Sequence, residues 1–265
     1  MTTADGVAGP ADRRRFATLG RSVTLFRAFL VEQTDPDHFY GLLAGDSVRQ
    51  VSGYTALAGR TVLDVGGGPG YFASAFRDAG ARYVGLDPDV GDFSAAGESV
   101  AGMLRGSGTA LPVRSASVDV TFSSNVLEHV SEPARMLDEM ARVTRPGGVL
   151  FVSFTPWLSP WGGHETAPWH YLGGDRARRR YQRKTGRPPK NRYLETLFPV
   201  SISDALRWAR GSRDVEVLEA LPRYHPWWAR WVIRVPGVRE IVAWNFVLVL
   251  RRTGPEPGGA AEKQS

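Results

Sequence analysis

The stretch that decides the fold is LDVGGGPGY, residues 63–71. Its apolar start continues a run from Thr61 and predicts a strand that ends at the glycines, and residues 71–79 then form a helix closed by Gly80. A glycine loop between a strand and a helix lets backbone N–H groups approach a bound nucleotide or carboxylate closely. A tight turn without a ligand is the alternative, so the loop needs further support.

The glycine spacing and two acidic residues narrow the choice of ligand. The loop follows G-x-G-x-G and not the dinucleotide pattern G-x-G-x-x-G, because Tyr71 stands where the third glycine would be. Asp64 precedes the loop, where it would repel a pyrophosphate but favour a cation. Asp87 lies 21 residues after Gly66, where a carboxylate can bind both ribose hydroxyls; a turn residue before Pro88 is the alternative. A ribose and a positive centre without a pyrophosphate describe S-adenosylmethionine.

Strands and helices alternate along the rest of the chain, which predicts an α/β fold with a mostly parallel, Rossmann-like sheet and helices on both faces. Strands are predicted at 61–65, 82–86, 118–123, 149–153, 215–221 and 244–250. Helices are predicted at 12–31, 36–51, 71–79, 131–143 (capped at Ser131-Glu132-Pro133) and from Ser203, as the cap, to Arg210, with a mostly helical stretch from Pro226 to Ala243.

Length and composition point to a single domain. The chain has 265 residues, of which 42% are hydrophobic, and carries a net charge of +6. Cysteine is absent, which excludes disulfides, thiolate metal sites and a cysteine nucleophile. No run approaches the roughly 18 apolar residues of a membrane span, so a cytoplasmic protein is expected. We expect a domain over 12–251 between disordered tails at 1–11 and 252–265; its parts are N-terminal helices at 12–55, a core at 60–155, a lid at 156–200 and a C-terminal helix and hairpin at 201–251.

Four motifs in order resemble class I S-adenosylmethionine-dependent methyltransferases, of the type-11 small-molecule group. They are LDVGGGPG at 63–70, GLD at 85–87, LP at 111–112 with SVDV at 117–120, and RVTRPGG at 142–148. The resemblance implies a seven-stranded sheet that ends in an antiparallel hairpin. It also implies S-adenosyl-L-methionine as cofactor.

The family pattern assigns cofactor-binding residues position by position. Gly66 and Gly68 would line the methionine part, Asp64 would lie near its ammonium group, and Asp87 would hold the ribose. The adenine amino group of such cofactors often meets an Asp four residues before the Leu-Pro pair. Here Ser107 occupies that position, beside Gly108, and its hydroxyl is a weaker acceptor. Asn125 falls where the backbone faces the methionine group.

The acceptor end of the chain offers histidines as candidate bases. The Asn/Asp-Pro-Pro-aromatic motif of nucleic-acid amino methylation is missing, which favours O-methylation of a small molecule, lipophilic or glycosylated. Candidate catalytic residues are His129, after the fourth strand, and His164 and His170 in the irregular lid; structural roles are the alternative. Together with Glu128 and Glu165 these histidines could bind a metal, but no pair has zinc-like local spacing, so no metal is expected.

A basic run and a tryptophan-rich segment suggest other partners. Nine of the residues from Arg176 to Arg192 are basic, which fits a solvated helix or a patch for an anionic membrane surface, an anionic substrate or RNA; DNA is not expected. Trp227, Trp228, Trp231 and Trp244 accompany Arg230, Arg234 and Arg239 and could lie in a membrane interface, but packing of the rings on the sheet is favoured. The rival function is therefore a peripheral membrane or RNA-binding protein with a regulatory or idle cofactor site.

Overall fold

Seven strands form one mixed sheet in the computed structural model, which describes residues 16–32, 34–89 and 102–254. The strands are β1 (Thr61–Val65), β2 (Arg82–Asp87), β3 (Met103–Arg105), β4 (Val118–Ser124), β5 (Thr144–Phe154), β6 (Val215–Pro222) and β7 (Phe246–Arg252). Their order across the sheet is β3-β2-β1-β4-β5-β7-β6. All pairs up to β5 are parallel, and β7 is antiparallel to both β5 and β6. The predicted fold and C-terminal hairpin are confirmed; only β7 is reversed, and β3 was not located from sequence.

Seven α-helices are described around the sheet. They are α1 (Leu19–Leu30), α2 (Pro36–Ser52), α3 (Ala73–Asp78), α4 (Pro133–Val143), α5 (Gly174–Thr185), α6 (Ile202–Gly211) and α7 (Val238–Val242). Single 3-10 turns span Leu127–His129, His164–Thr166 and Trp169–Leu172, and a longer one spans Trp227–Arg234. Residues 12–15 of the predicted first helix, the predicted tail at 1–11 and residues 255–265 lie outside the described residues. The predicted C-terminal tail begins too early, because Arg252 is the last residue of β7.

Two predicted helix caps are wrong. Ser201, with extended backbone angles, accepts the capping bond of α6 from the N–H of Asp204, whereas Ser203 is inside the helix and donates its hydroxyl to Glu240. Before α4, the N-cap position is Glu132 and its side chain makes no capping bond, although Pro133 does occupy the first turn.

The strands are buried on both faces because helices cover both sides of the sheet. Leu63 and Val65 belong to a core with the apolar face of α4 and α6. Val62, one residue away, faces a second core formed with Phe72, Phe76 and residues of α2. This alternation within one strand is the period of two expected of β-structure between two layers.

The segment predicted as an irregular lid, 156–200, is more ordered than expected. Beyond its two 3-10 turns it contains α5, a helix of 12 residues. The helix begins at Gly174 and ends where Gly186 adopts φ +74, the left-handed value common after helices. The interpretation of the basic run as a helix is thus confirmed for residues 176–185. Of the helices in the described ranges, none is both long and apolar enough to cross a membrane.

Candidate functional site

A cavity of about 1220 Å³ opens at the carboxyl ends of the parallel strands. Gly66, Asp87, Asn125 and Thr155 follow or end β1, β2, β4 and β5 respectively, and all four line it. Ligands of open α/β sheets bind at this edge because the strand ends and following loops converge there. The predicted residues Gly66, Gly68, Asp87, Ser107, Gly108, Asn125, His129 and His164 all lie on its wall.

The glycine loop is built for close approach. Gly66 has φ +81, and a Cβ added to it would lie 2.5 Å from the side chain of Val126. The N–H groups of Gly66 and Gly67 both donate to the carbonyl of Leu86, at 2.7 and 3.1 Å. The loop is therefore fixed to the end of β2, and a side chain at position 66 would obstruct it.

Asp64 lies beneath the loop and outside the cavity wall. Its carboxylate is buried and accepts a hydrogen bond from the Tyr83 hydroxyl at 2.7 Å. Burial raises the pKa of Asp64 to about 7, although the Tyr83 hydrogen bond acts in the opposite direction. The predicted contact of Asp64 with a cofactor ammonium group gains no support from this position and stays a prediction.

Asp87, Ser107 and Gly108 form one side of the cavity. Asp87 Oδ2 accepts from the Gly68 N–H at 3.1 Å, and Oδ1 accepts from the Asp89 N–H at 3.0 Å. Ser107 Oγ lies 2.9 Å from Thr109 Oγ1 and so has a local partner. A Cβ on Gly108 would lie 3.2 Å from Val65, so the backbone packs tightly there. These residues leave room for a ring system beside a carboxylate.

Asn125 has φ +58, a left-handed value that asparagine tolerates better than most residues. Its side-chain oxygen accepts from Asn245 Nδ2 at 2.8 Å, which ties the loop after β4 to the residue before β7. Below it the fully buried Arg223 donates to the hydroxyls of Ser124 and Ser153 at 2.9 and 2.7 Å. Sequence reasoning missed Arg223 and Asn245, and no local pattern marks either of them.

The other half of the cavity is apolar and aromatic. Its wall includes Phe26, Phe29, Leu30, Phe39, Tyr40, Trp161, Tyr224 and Trp244. Tyr40 stacks on Tyr71 of the glycine-loop region with ring centroids 4.4 Å apart, and its hydroxyl donates to Glu32 at 3.0 Å. Burial raises the pKa values of both Tyr40 and Glu32. Much of this wall comes from α1 and α2, to which the sequence assigned no functional role.

Two of the three predicted catalytic histidines meet in the cavity. The rings of His129 and His164, 35 residues apart in sequence, have centroids 5.2 Å apart. His129 Nδ1 lies 2.7 Å from the carbonyl oxygen of Thr196, which can only accept, so this nitrogen carries the proton and Nε2 keeps its lone pair. Burial and the neighbouring His129 lower the pKa of His164 to about 4. A carboxylate oxygen of the buried Glu128 lies within 4.8 Å of a ring nitrogen of each histidine.

His170 does not join this group. Its ring is buried in the lid segment, where Nε2 lies 3.1 Å from the carbonyl oxygen of Ser159 and Trp157 packs against it at 5.2 Å. A Cβ on Gly163 would lie 2.6 Å from this ring, so the loop closes directly over it. This is a packing position outside the cavity wall, and the predicted catalytic role of His170 gains no support from it.

The basic helix and the tryptophan turn present exposed surfaces. Tyr181 of α5 lines the cavity, while the outer side of the helix forms a groove with Arg176, Arg179 and Arg183. In that groove Arg180 lies over the Trp169 ring at 3.9 Å.

The preferred packing of the rings on the sheet is wrong for Trp227, Trp228 and Trp231, whereas Trp244 is half-buried and its ring lies 5.2 Å from that of Phe26. Trp227, Trp228 and Trp231 are 49%, 58% and 56% exposed. The buried residues of that turn are Ala229, Val232 and Ile233, which leaves the larger rings on the outer side.

Comparison with known proteins places the chain in a family. Residues 63–152 match the family model of the methyltransferase domain. The chain is 53% identical over 248 residues to an uncharacterized methyltransferase of Mycobacteroides abscessus, which covers 89% of this chain and 95% of the relative. A similarly named protein of Mycolicibacterium gilvum is 56% identical over 247 residues, with coverage of 89% and 96%.

Solved structures share the fold at low identity. A methyltransferase of Thermotoga maritima that depends on S-adenosylmethionine has a TM-score of 0.51 at 19% identity, covering 87% of this chain and 99% of that one. The cyclase SpnF has a TM-score of 0.50 at 18% identity, with coverage of 80% and 82%. Because a cyclase shares the fold, the fold does not determine the reaction. The sequence identity to the mycobacterial methyltransferases shows the family. The chain belongs to the class I S-adenosylmethionine-dependent methyltransferases.

Proposed function

We propose that this methyltransferase methylates a hydroxyl group of a small lipophilic molecule, which binds in the aromatic half of the cavity. The observation that carries the proposal is the shape of the wall. One cavity joins the glycine loop and Asp87 to a set of aromatic residues, and His129 lines the same cavity. Apolar walls with few polar groups are typical of sites for lipophilic ligands.

The residues present fit S-adenosylmethionine. At Gly68, which lines the cavity, a Cβ would meet no atom of the described residues within 4 Å and would occupy open space, and Asp87 offers a carboxylate at the cavity wall for the ribose hydroxyls. Ser107 and Gly108 would border the adenine, and Asn125 the methionine part. When bound, the cofactor supplies an electrophilic methyl group on a positively charged sulfur, so the protein has to align the acceptor oxygen and receive its proton.

His129 is the better placed of the two histidines to receive that proton. Its Nδ1–H is held by the Thr196 carbonyl, so in the neutral imidazole the lone pair is on Nε2. Burial lowers the pKa of His164, which makes it a weaker base. His129 Nε2 would receive the proton of the acceptor hydroxyl as the oxygen takes the methyl group that the cofactor supplies, and the sulfur would keep the bonding electrons as leaving group.

The test uses S-adenosylmethionine with a trideuterated methyl group and a solvent extract of a mycobacterium. Mass spectrometry should find the label in a methyl ether of the lipid-soluble fraction, and the Asp87→Ala variant should give much less of it at the same cofactor concentration. Label on nitrogen, or only in water-soluble products, would overturn the proposed acceptor while leaving the methyltransferase activity intact.

We also propose that the protein attaches peripherally to anionic membranes. The exposed rings of Trp227, Trp228 and Trp231 suit the interface, and the arginines of the α5 groove suit anionic headgroups. Since α5 also lines the cavity, a lipophilic acceptor would enter near a lipid surface. The rival function with an idle cofactor site has no comparable support.

Sedimentation with phosphatidylglycerol vesicles tests this attachment. The wild type should sediment with them and remain soluble with phosphatidylcholine vesicles. A triple charge reversal at Arg176, Arg179 and Arg183 should abolish sedimentation, while reversal of the exposed Arg207, on α6, should not. Equal sedimentation of the triple variant, or retention by RNA alone, would contradict the proposal.

A further inference from the structure

Three side chains with metal-ligating atoms converge at the acceptor half of the cavity. Glu128, His129 and His164 each offer one ligand atom, and these atoms lie within 4.8 Å of one another. Two histidines and a carboxylate are a common ligand set for zinc and for other divalent first-row transition ions. The expectation of no metal rested on local spacing, which does not apply when a distant segment supplies the third ligand.

Two of the three residues are held by a hydrogen bond at one atom, and two buried ligand atoms of the group have no partner within the described part of the chain. His129 Nδ1 donates to the Thr196 carbonyl, the contact that usually orients a metal-bound imidazole and leaves Nε2 for the metal. Glu128 Oε1 accepts from the Thr155 N–H at 3.0 Å. Its Oε2 is buried without a hydrogen-bond partner among the described residues, and so is His164 Nε2.

These free buried atoms are unusual, because a buried polar atom without a partner costs roughly 1–3 kcal/mol. Glu128 is only 1% exposed, so solvent does not supply the missing partner. A bound cation would supply the missing partner of both atoms.

The other two residues of the sequence-based metal set are engaged elsewhere. Both carboxylate oxygens of Glu165 accept from Asn191, at 3.1 and 2.9 Å. His170 is held by the Ser159 carbonyl outside the cavity wall. Of the five candidate metal ligands, only Glu128, His129 and His164 therefore lie close together in the described structure.

We propose that Glu128, His129 and His164 bind one divalent transition-metal ion beside the acceptor. Tetrahedral ligands at 2.0–2.1 Å from zinc lie about 3.4 Å apart, so the group tightens when the ion binds. His129 and His164 line the cavity, which leaves the remaining coordination position open to it. An acceptor oxygen coordinated there is oriented, and its hydroxyl becomes more acidic. His129 Nε2 cannot both hold the ion and receive the acceptor proton. With the ion bound, the acidified hydroxyl would lose its proton to solvent, so this arrangement is the alternative to the general-base role of His129.

The experiment is a titration of the metal-free, untagged full-length protein with Co²⁺, followed by its visible absorption, and with Zn²⁺ by calorimetry. We expect one ion per chain and a tetrahedral cobalt spectrum. His164→Ala and Glu128→Gln should each weaken binding by more than about 100-fold, beyond the roughly 10- to 100-fold that loss of a second-sphere residue usually causes. His38→Ala removes an exposed histidine of α2 and should change nothing.

Metal binding is measured without cofactor or acceptor, so its failure is distinct from failure of the proposed O-methylation. All five histidines lie in the described ranges, and variants are proposed for both histidines of the metal group and for the exposed His38. Absence of saturable binding at millimolar Co²⁺ and Zn²⁺ would overturn the proposal. So would unchanged affinity in both His164→Ala and Glu128→Gln. Thermal melts identify a variant that fails to fold, and His129→Gln then takes its place.

Discussion

The N–H of Gly68 donates to Asp87 Oδ2 at 3.1 Å, so the loop after β1 is tied to the acid that ends β2. The same carboxylate holds the Asp89 N–H with its other oxygen. Asp87 therefore shapes the cofactor cavity before any ligand arrives, in addition to any ribose contact. Loss of this side chain should therefore disturb the shape of the cavity as well as the contact with the ribose.

We expect Asp87→Ala to weaken S-adenosylmethionine binding by about 1.5–3 kcal/mol, or roughly 10- to 150-fold, as for hydrogen bonds to a charged group. Asp78→Ala removes an exposed carboxylate at the end of α3 and is the matched control. Calorimetry with both variants measures the difference. Equal affinity in the two would remove Asp87 from the site.

Gly66 and Gly59 provide a matched pair, because both have positive φ values, of +81 and +73. A Cβ at Gly59 meets no atom within 4 Å, whereas at Gly66 it collides with Val126. Gly59→Ala should therefore cost only about 1–2 kcal/mol of unfolding free energy and keep cofactor affinity. Gly66→Ala should lose cofactor binding. Binding and denaturant unfolding of both proteins check this, and full affinity in Gly66→Ala would contradict the geometry.

Asp64 makes stability depend on pH in a direction unusual for a carboxylate. Its pKa is about 7 in the folded protein and ordinarily 3.8, so folding binds a proton between these values. The contribution is present below the ordinary pKa and is lost as the pH rises through about 7. Asp64→Asn removes this dependence, and its advantage over wild type should grow by roughly 3 kcal/mol between pH 5 and pH 8.

Urea unfolding of both proteins at the two pH values measures that change. Asp78→Asn, at an exposed position, serves as the control and should run parallel to wild type. A constant difference between Asp64→Asn and wild type would show that Asp64 is ionised in the folded protein throughout.

The three histidines should separate in kinetics. His129→Gln and His164→Ala should lower turnover on the true acceptor, the former by on the order of 100-fold or more, with cofactor affinity nearly unchanged. His170→Gln should lower the melting temperature because it disturbs the contacts with Trp157 and Ser159, and should leave turnover of the folded protein intact. A turnover loss in His170→Gln equal to that in His129→Gln would put the lid packing described above in doubt.

Local features allowed the sheet, the glycine loop and Asp87 to be predicted, since a strand, a turn and an acid at fixed spacing are all short-range. The features that could not be predicted depend on contacts between residues that are distant in the sequence. The Tyr83 hydroxyl that binds Asp64 comes from another strand, and His164 reaches Glu128 only through the fold of the lid segment. The tryptophan turn has helical spacing, but this spacing does not show which of its sides faces the sheet. Val232 and Ile233 are buried there, in place of the tryptophan rings.

The most direct measurement is calorimetric titration of the purified protein with S-adenosylmethionine and with S-adenosylhomocysteine. We expect saturable binding of both ligands at one site per chain, with each ligand excluding the other, and weaker binding of both to the Asp87→Ala variant. No binding of either ligand at millimolar concentration to the folded protein would contradict it.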